Sequence, residues 1–130
     1  MTLLVRAAMA DDADAMADVL NRIIAIGGTT AHQAPKSPET VKSHYIDGPD
    51  VQTSVVAEIS GQIVGWQSVG LWQGESHIGT FVRPGLQAGG IGARMFALTC
   101  DQARAAGIRQ IAASIRADNV PGLAYYARIG

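Results

Sequence analysis

The glycines Gly85, Gly89, Gly90 and Gly92 lie within one segment, Arg83-Pro-Gly-Leu-Gln-Ala-Gly-Gly-Ile-Gly-Ala-Arg94. Before it, His77 to Val82 is mostly apolar or β-favouring. After it, Ile91 to Ala106 repeats apolar residues at helical spacing. A strand, a Gly-rich loop and a helix in that order leave the N–H groups of the first helical turn without intrahelical partners, at the positive end of the helix dipole. An anion binds there without any basic side chain, and glycine removes the Cβ atoms that would hold a phosphate away from the backbone. The chemistry implied is pyrophosphate binding.

Spacing separates the phosphate loops that compete for this segment. Gly85 and Gly90 have the separation of a Walker A loop, but Ile91 and Gly92 stand where that loop needs Lys and Ser or Thr, which excludes a P-loop nucleotidase. Gly90 and Gly92 would open a dinucleotide fingerprint, yet Met95 takes its third glycine position, and such a loop usually follows the first strand of a domain. What remains is Gln87-Ala-Gly-Gly90-Ile-Gly92, a Gln-x-x-Gly-x-Gly pattern. A second motif follows a strand-like run from Gln110 to Ile115: Asn119-Val-Pro-Gly-Leu-Ala-Tyr-Tyr126-Ala-Arg-Ile-Gly130.

The first motif resembles the acetyl-CoA pyrophosphate loop of the GNAT superfamily of N-acetyltransferases. The second resembles that superfamily's Asn-x-x-Ala-x-x-x-Tyr-x-x-x-Gly-Phe helix, with Asn119, Tyr126 and Gly130 in register and Gly122 where alanine is usual. The resemblance covers nearly the whole chain. It implies an α/β (α+β) fold with a mixed central sheet flanked by helices, and acetyl transfer to an amine by direct attack in a ternary complex. It assigns acetyl-CoA to the backbone of Gln87, Ala88, Gly89, Gly90, Ile91, Gly92 and Ala93, with Phe81 and Val82 on the strand feeding the loop and Asn119 beyond it. The parting of the fourth and fifth strands in that fold is the slot for the pantetheine arm. Thr29-Thr30-Ala31, with Ser37-Pro38-Glu39 after it, is similar to the phosphinothricin acetyltransferase branch, whose acceptors are amino acid-like amines; a Gly- and Thr-rich run is also ordinary turn composition.

Transfer to an amine needs the thioester held in place, a deprotonated amine, and a proton for the departing thiolate. By register, Tyr126 is the candidate acid, with core packing as its alternative; Tyr125 lies about 100° around the helix. Asn119 suits a helix cap as well as a cofactor contact. Glu75 and His77, just before or on the fourth strand, are the candidate bases, and Glu58 lies near the end of the second. Histidine is the side chain that most readily exchanges a proton near neutral pH; a water chain would make a base unnecessary. Trp66 and Trp72 on the third strand suit an acceptor site or the core. Cys100 is not placed to act as a covalent relay. His32, His44 and His77 show no metal-ligand spacing, so no metal is expected.

The elements that must position these residues follow from periodicity. Leu3 to Ala7 reads as a strand. Asp11 and Asp12 supply capping chemistry for a helix whose stripe is Met16, Val19, Leu20, Ile23 and Ile24, ending at Gly27-Gly28. Ser37-Pro38 opens a second helix to about Ile46. Val51 to Ile59 and Gln62 to Leu71 form a hairpin across Ser60-Gly61. His77 to Val82 is the fourth strand, Ile91 to Ala106 the third helix with Gly107 as its cap, and Gln110 to Ile115 the fifth strand. The expected order is β-α-α-β-β-β-α-β-α.

The chain has 130 residues, 48% hydrophobic and 16% charged, with net charge −1. That suits one globular domain without an electrostatic pull toward nucleic acid or an anionic membrane. The expected partner is a small-molecule amine. One cysteine fits a reducing compartment. No apolar run suggests a signal peptide or membrane span, so a cytoplasmic protein is expected. The superfamily usually continues with two more strands, so the expectation is a single domain, 1-130, truncated after the Asn119 helix. Its open sheet edge would favour a homodimer, and without those strands a non-catalytic acyl-CoA-binding domain is the alternative function.

Overall fold

The computed structural model describes residues 2–26, 34–86 and 89–113. In chain order these form β1 (Leu3–Ala7), a 3-10 turn (Ala10–Asp12), α1 (Ala13–Ile26), α2 (Pro38–Tyr45), β2 (Val51–Ile59), β3 (Gln62–Trp72), β4 (Glu75–Val82), α3 (Ile91–Ala105) and β5 (Ala112–Ala113). The sheet runs β1-β2-β3-β4-β5. Its first four strands are antiparallel, and β5 joins β4 in parallel through His77↔Ala112 and Ile78↔Ala113. The sheet is therefore mixed, as expected, and α3 is the crossover that a parallel pair requires. Ser114, Ile115 and the helix expected around Asn119 lie outside the described residues.

Helices cover both faces. The α1 stripe Met16, Val19, Leu20 and Ile23 packs with Val41 of α2 against Val56, Trp66 and Phe81. On the other face Ile91 and Met95 of α3 meet Val55, Ala57, Val64 and Val82. Strict alternation along β3 would put Val64 and Trp66 on the same face. A register irregularity beside Ala57/Glu58 prevents this, and a bulge of this kind re-aims the side chains that follow it. Ile63 and Trp66 consequently share the α1 face, while Val64 and Gly65 meet α3. A Cβ at Gly65 would stand 3.1 Å from the Phe81 carbonyl and 3.4 Å from Ile91 and Met95 side-chain atoms, so the bare backbone lets α3 seat closely.

Local chemistry explains the boundaries. Ser37 Oγ accepts from Thr40 N–H at 3.1 Å, capping α2 ahead of Pro38. The turns at Ser60-Gly61 and Gln73-Gly74 both have two left-handed residues, the geometry that joins twisted antiparallel strands tightly. The second turn lets β4 begin at Glu75, two residues before the expected His77. The start of α1 also differs from expectation: Asp11 and Asp12 form a 3-10 turn ahead of the helix. Asp12 accepts from Met9 N–H at 2.8 Å and from Arg6 at 2.8 and 2.9 Å, and Arg6 also donates to Glu58 at 3.1 Å. Arg6 thereby ties the entry of α1 to β1 and β2.

The hydrogen bond from Arg6 holds the Asp12 carboxyl below the usual aspartate range, with burial opposing and the Met9 N–H adding to the effect. A carboxyl with a depressed folded value contributes stability that is complete above its unfolded value of about 4 and is lost as pH falls through the folded value. Asp12→Asn should therefore cost about 1.5–3 kcal/mol at pH 7, the range for hydrogen bonds to charged groups. Urea denaturation at pH 7 and pH 3 should show the gap from wild type narrowing in acid; a gap constant with pH would deny the ion pair this role.

Candidate active site

The loop after β4 is built from successive backbone turns. Arg83 N–H donates to the Val64 carbonyl at 2.7 Å, Leu86 N–H to the Arg83 carbonyl at 3.0 Å, and Gly89 N–H to the Leu86 carbonyl at 3.1 Å. Gly90 caps α3 in the left-handed region, φ 75° and ψ 9°, with no side-chain cap and no acidic residue in the first turn. The α3 ladder opens with Arg94 N–H donating to the Gly90 carbonyl at 3.2 Å. Gly89, Gly90 and Ala93 are exposed, whereas Ile91 is buried and anchors the turn to the sheet. Among the described residues the arrangement is a solvent-facing helix N-terminus with glycine at its cap and no negative charge of its own, which suits a pyrophosphate. Gln87 and Ala88 lie outside the described residues, as do Asn119 and Tyr126.

Phe81 and Val82 meet the sequence expectation only through their backbone. Both side chains are buried, Phe81 on the α1 face and Val82 on the α3 face. Phe81 packs on Trp66 with ring centroids 4.5 Å apart, and Tyr45 of α2 lies 4.9 Å from Trp66. Burial pushes the Tyr45 phenol above its usual range, so this aromatic row is uncharged at neutral pH. The neighbouring Thr80 is pinned from β3, where buried Gln67 donates from Nε2 to Thr80 Oγ1 at 2.9 Å. Sequence reading passed over Gln67; its signal was an amide inside an otherwise apolar strand.

The pleat places Glu75, His77, Gly79 and Phe81 on one face of β4. The Phe81 ring folds over Gly79, where a Cβ would stand 2.9 Å from it. His77, next along this face, is partly buried, and its Nε2 is buried without a hydrogen-bond partner among the described residues. Its imidazole lies edge-on to Trp72, ring centroids 5.4 Å apart. Glu75 is exposed at the hairpin end. The two candidate bases are thus adjacent on one face but differ in burial.

Other sequence candidates are placed elsewhere. Glu58 is committed to Arg6. Trp66 is fully buried and donates from Nε1 to the Met16 carbonyl at 2.9 Å, a core residue and not an acceptor wall. Trp72 is 61% exposed. Cys100 is half-buried on α3. A groove of about 490 Å³ lies at the opposite end of the hairpin, beside Arg83 and Gln62. Within it Arg6 and Arg22 are already paired with Asp12 and Asp18. Among the described residues no group of three metal-ligating side chains comes together, and no helix is long and apolar enough to cross a membrane.

A mixed sheet that delivers a glycine-bounded helix N-terminus after its fourth strand agrees with the family comparison: the Acetyltransferase (GNAT) family model matches residues 20–130. The chain belongs to this family and is an acetyltransferase. Similar solved structures include a protein assigned as a phosphinothricin N-acetyltransferase, 23% identical, with TM-score 0.83 and covering 99% of this chain and 82% of its own. Another is a Salmonella typhimurium protein assigned as an acetyltransferase and solved with its cofactor acetyl-CoA, 19% identical, TM-score 0.83, covering 100% and 79%. A third is the ribosomal-protein-alanine N-acetyltransferase of Brucella melitensis, 23% identical, TM-score 0.80, covering 98% and 83%. At these identities the likeness is one of fold. No curated protein matches the chain.

Proposed function

We propose that the chain transfers the acetyl group of acetyl-CoA to the primary amine of a small, amino acid-like molecule, by direct attack while both are bound. The observation that carries this reading is the exposed, glycine-bounded start of α3 at the end of β4. Backbone N–H groups at the opening of α3 hold the pyrophosphate, and the pantetheine arm runs back along β4. At about 3.3 Å per residue, His77 lies roughly 16 Å back from Val82, a length comparable to the extended arm. Glu75 lies about 7 Å further on, past the thioester.

His77 is accordingly the base and Glu75 the less favoured candidate. A buried, unpartnered Nε2 is available to take a proton from the amine nitrogen. The amine lone pair forms the C–N bond to the acetyl carbonyl, the positively charged nitrogen of the adduct then gives its proton to His77, and the C–S bond breaks with its electron pair on sulfur. Tyr126 supplies the thiolate with a proton and regains one from His77 through solvent. The Phe81–Trp66 packing and the Gln67–Thr80 hydrogen bond keep β4 straight beneath the arm.

Calorimetry with acetyl-CoA, followed by an amine panel monitored for free thiol, tests the reading. Binding without thiol release from any amine would favour a non-catalytic acyl-CoA-binding domain. Tyr126→Phe and His77→Gln should each lower kcat by about 100-fold or more, the ordinary contribution of acid–base catalysis, with acetyl-CoA affinity nearly unchanged. An equal loss of affinity would make either residue structural.

A further inference from the structure

An exposed indole leaves a large apolar surface in water unless something covers it. Trp72 stands opposite Glu75 in the β3–β4 register, and Gly70 stands opposite His77. The indole, the carboxylate and the imidazole therefore share one face of the hairpin end, with no side chain at position 70 between them. His77 is partly buried on this face, and its Nε2 lies beneath the surface without a hydrogen-bond partner among the described residues. Among the described residues Glu75 forms no ion pair, and residues 66–82 contain no lysine or arginine. A π-face beside a carboxylate that has no ion-pair partner among the described residues attracts a cation.

Building on the transferase reading, we infer that Trp72 and Glu75 receive the acceptor amine in its ammonium form beside His77. The acceptor class is thus an alkyl primary amine, protonated at neutral pH, and not a neutral arylamine. The indole covers the charged end and the adjoining methylene, and Glu75 supplies the opposing charge. His77 releases the extra proton to bulk water, which frees the nitrogen lone pair for attack. Trp72 and Glu75 act in binding, so their removal changes KM more than kcat.

Benzylamine and 4-methylaniline are isomers, the first protonated at pH 7 and the second neutral. With the full chain and saturating acetyl-CoA, benzylamine should give the higher kcat/KM. Trp72→Leu and Glu75→Gln should each raise the KM for benzylamine about tenfold, within the range of cation–π and partly screened charge contacts. The KM for 4-methylaniline should be unchanged, and Glu75→Asp should recover most of the benzylamine loss. Equal effects on both amines, or none, would overturn the proposal. If acetyl-CoA binds but neither amine releases thiol, the Trp72 indole N–H resonance, identified by its absence in Trp72→Leu, provides a second reading. A shift with benzylamine and none with benzyl alcohol would uphold the ammonium site while sinking the transfer reading; no shift with benzylamine would sink the ammonium site.

Discussion

Gly90→Val is expected to weaken acetyl-CoA binding by about 100-fold or more while the protein stays folded. Two effects act together. Gly90 sits at φ 75°, where a β-branched residue is an outlier and the left-handed backbone costs roughly 1–2 kcal/mol. Relief of that strain rotates the peptide groups that open α3. A valine side chain would also stand in the exposed cradle that Gly89, Gly90 and Ala93 leave clear. Losing two charge-assisted N–H contacts to a pyrophosphate, each about 1.5–3 kcal/mol, accounts for the factor of 100. Nothing lies within 4 Å of a Cβ built at Gly90, so the core is undisturbed and the urea midpoint should fall only modestly. Calorimetry measures the affinity and circular dichroism the fold. Unchanged affinity would remove the pyrophosphate from this loop.

Trp66→Ala should cost about 3–5 kcal/mol of stability, the range for deleting a buried aromatic. The indole is fully buried beside Phe81 and Tyr45, and its Nε1 bonds the Met16 carbonyl of α1. Alanine leaves a cavity where α1, α2 and the sheet meet, and Phe81 loses the ring that supports it from β3. A domain of this size is stable by about 5–15 kcal/mol, so the variant loses a large share of that. Trp66→Phe keeps most of the packing and should lose about 1–3 kcal/mol, mainly through shape and the missing donor. Urea denaturation gives both values. A loss below about 1.5 kcal/mol for alanine would mean that the site collapses around the smaller residue, against the close packing described.

Segments that carry their own local signal were legible in advance. Val51–Ile59 came from β-favouring composition bounded by turns, α2 from Ser37-Pro38, and the start of α3 from the glycines before it; all three stand where expected. Two local readings went astray for identifiable reasons. Gln73-Gly74 carries no strong turn signal, since glutamine seldom takes a left-handed conformation, and this hides the two residues of β4 that precede His77. Asp11 and Asp12 were read as helix caps on local chemistry, but Arg6 and Met9 claim Asp12 for the turn before the helix.

The sequence by itself determined where β4 gives way to α3, because the glycines, the strand and the helix are contiguous, and backbone geometry over a dozen residues decides the outcome. It likewise determined the order of elements through β5. Tertiary structure alone decided which side chains meet. Glu58 and Arg6 are 52 positions apart, and their pairing makes Glu58 a strut between β2 and β1. The irregularity beside Ala57/Glu58 decides that Trp66 enters the core. The register Gly70↔His77 and Trp72↔Glu75 decides that an indole, a carboxylate and an imidazole share a face. A shift of one residue in strand pairing would send each of them to the opposite side, and such a shift leaves no mark on composition or periodicity.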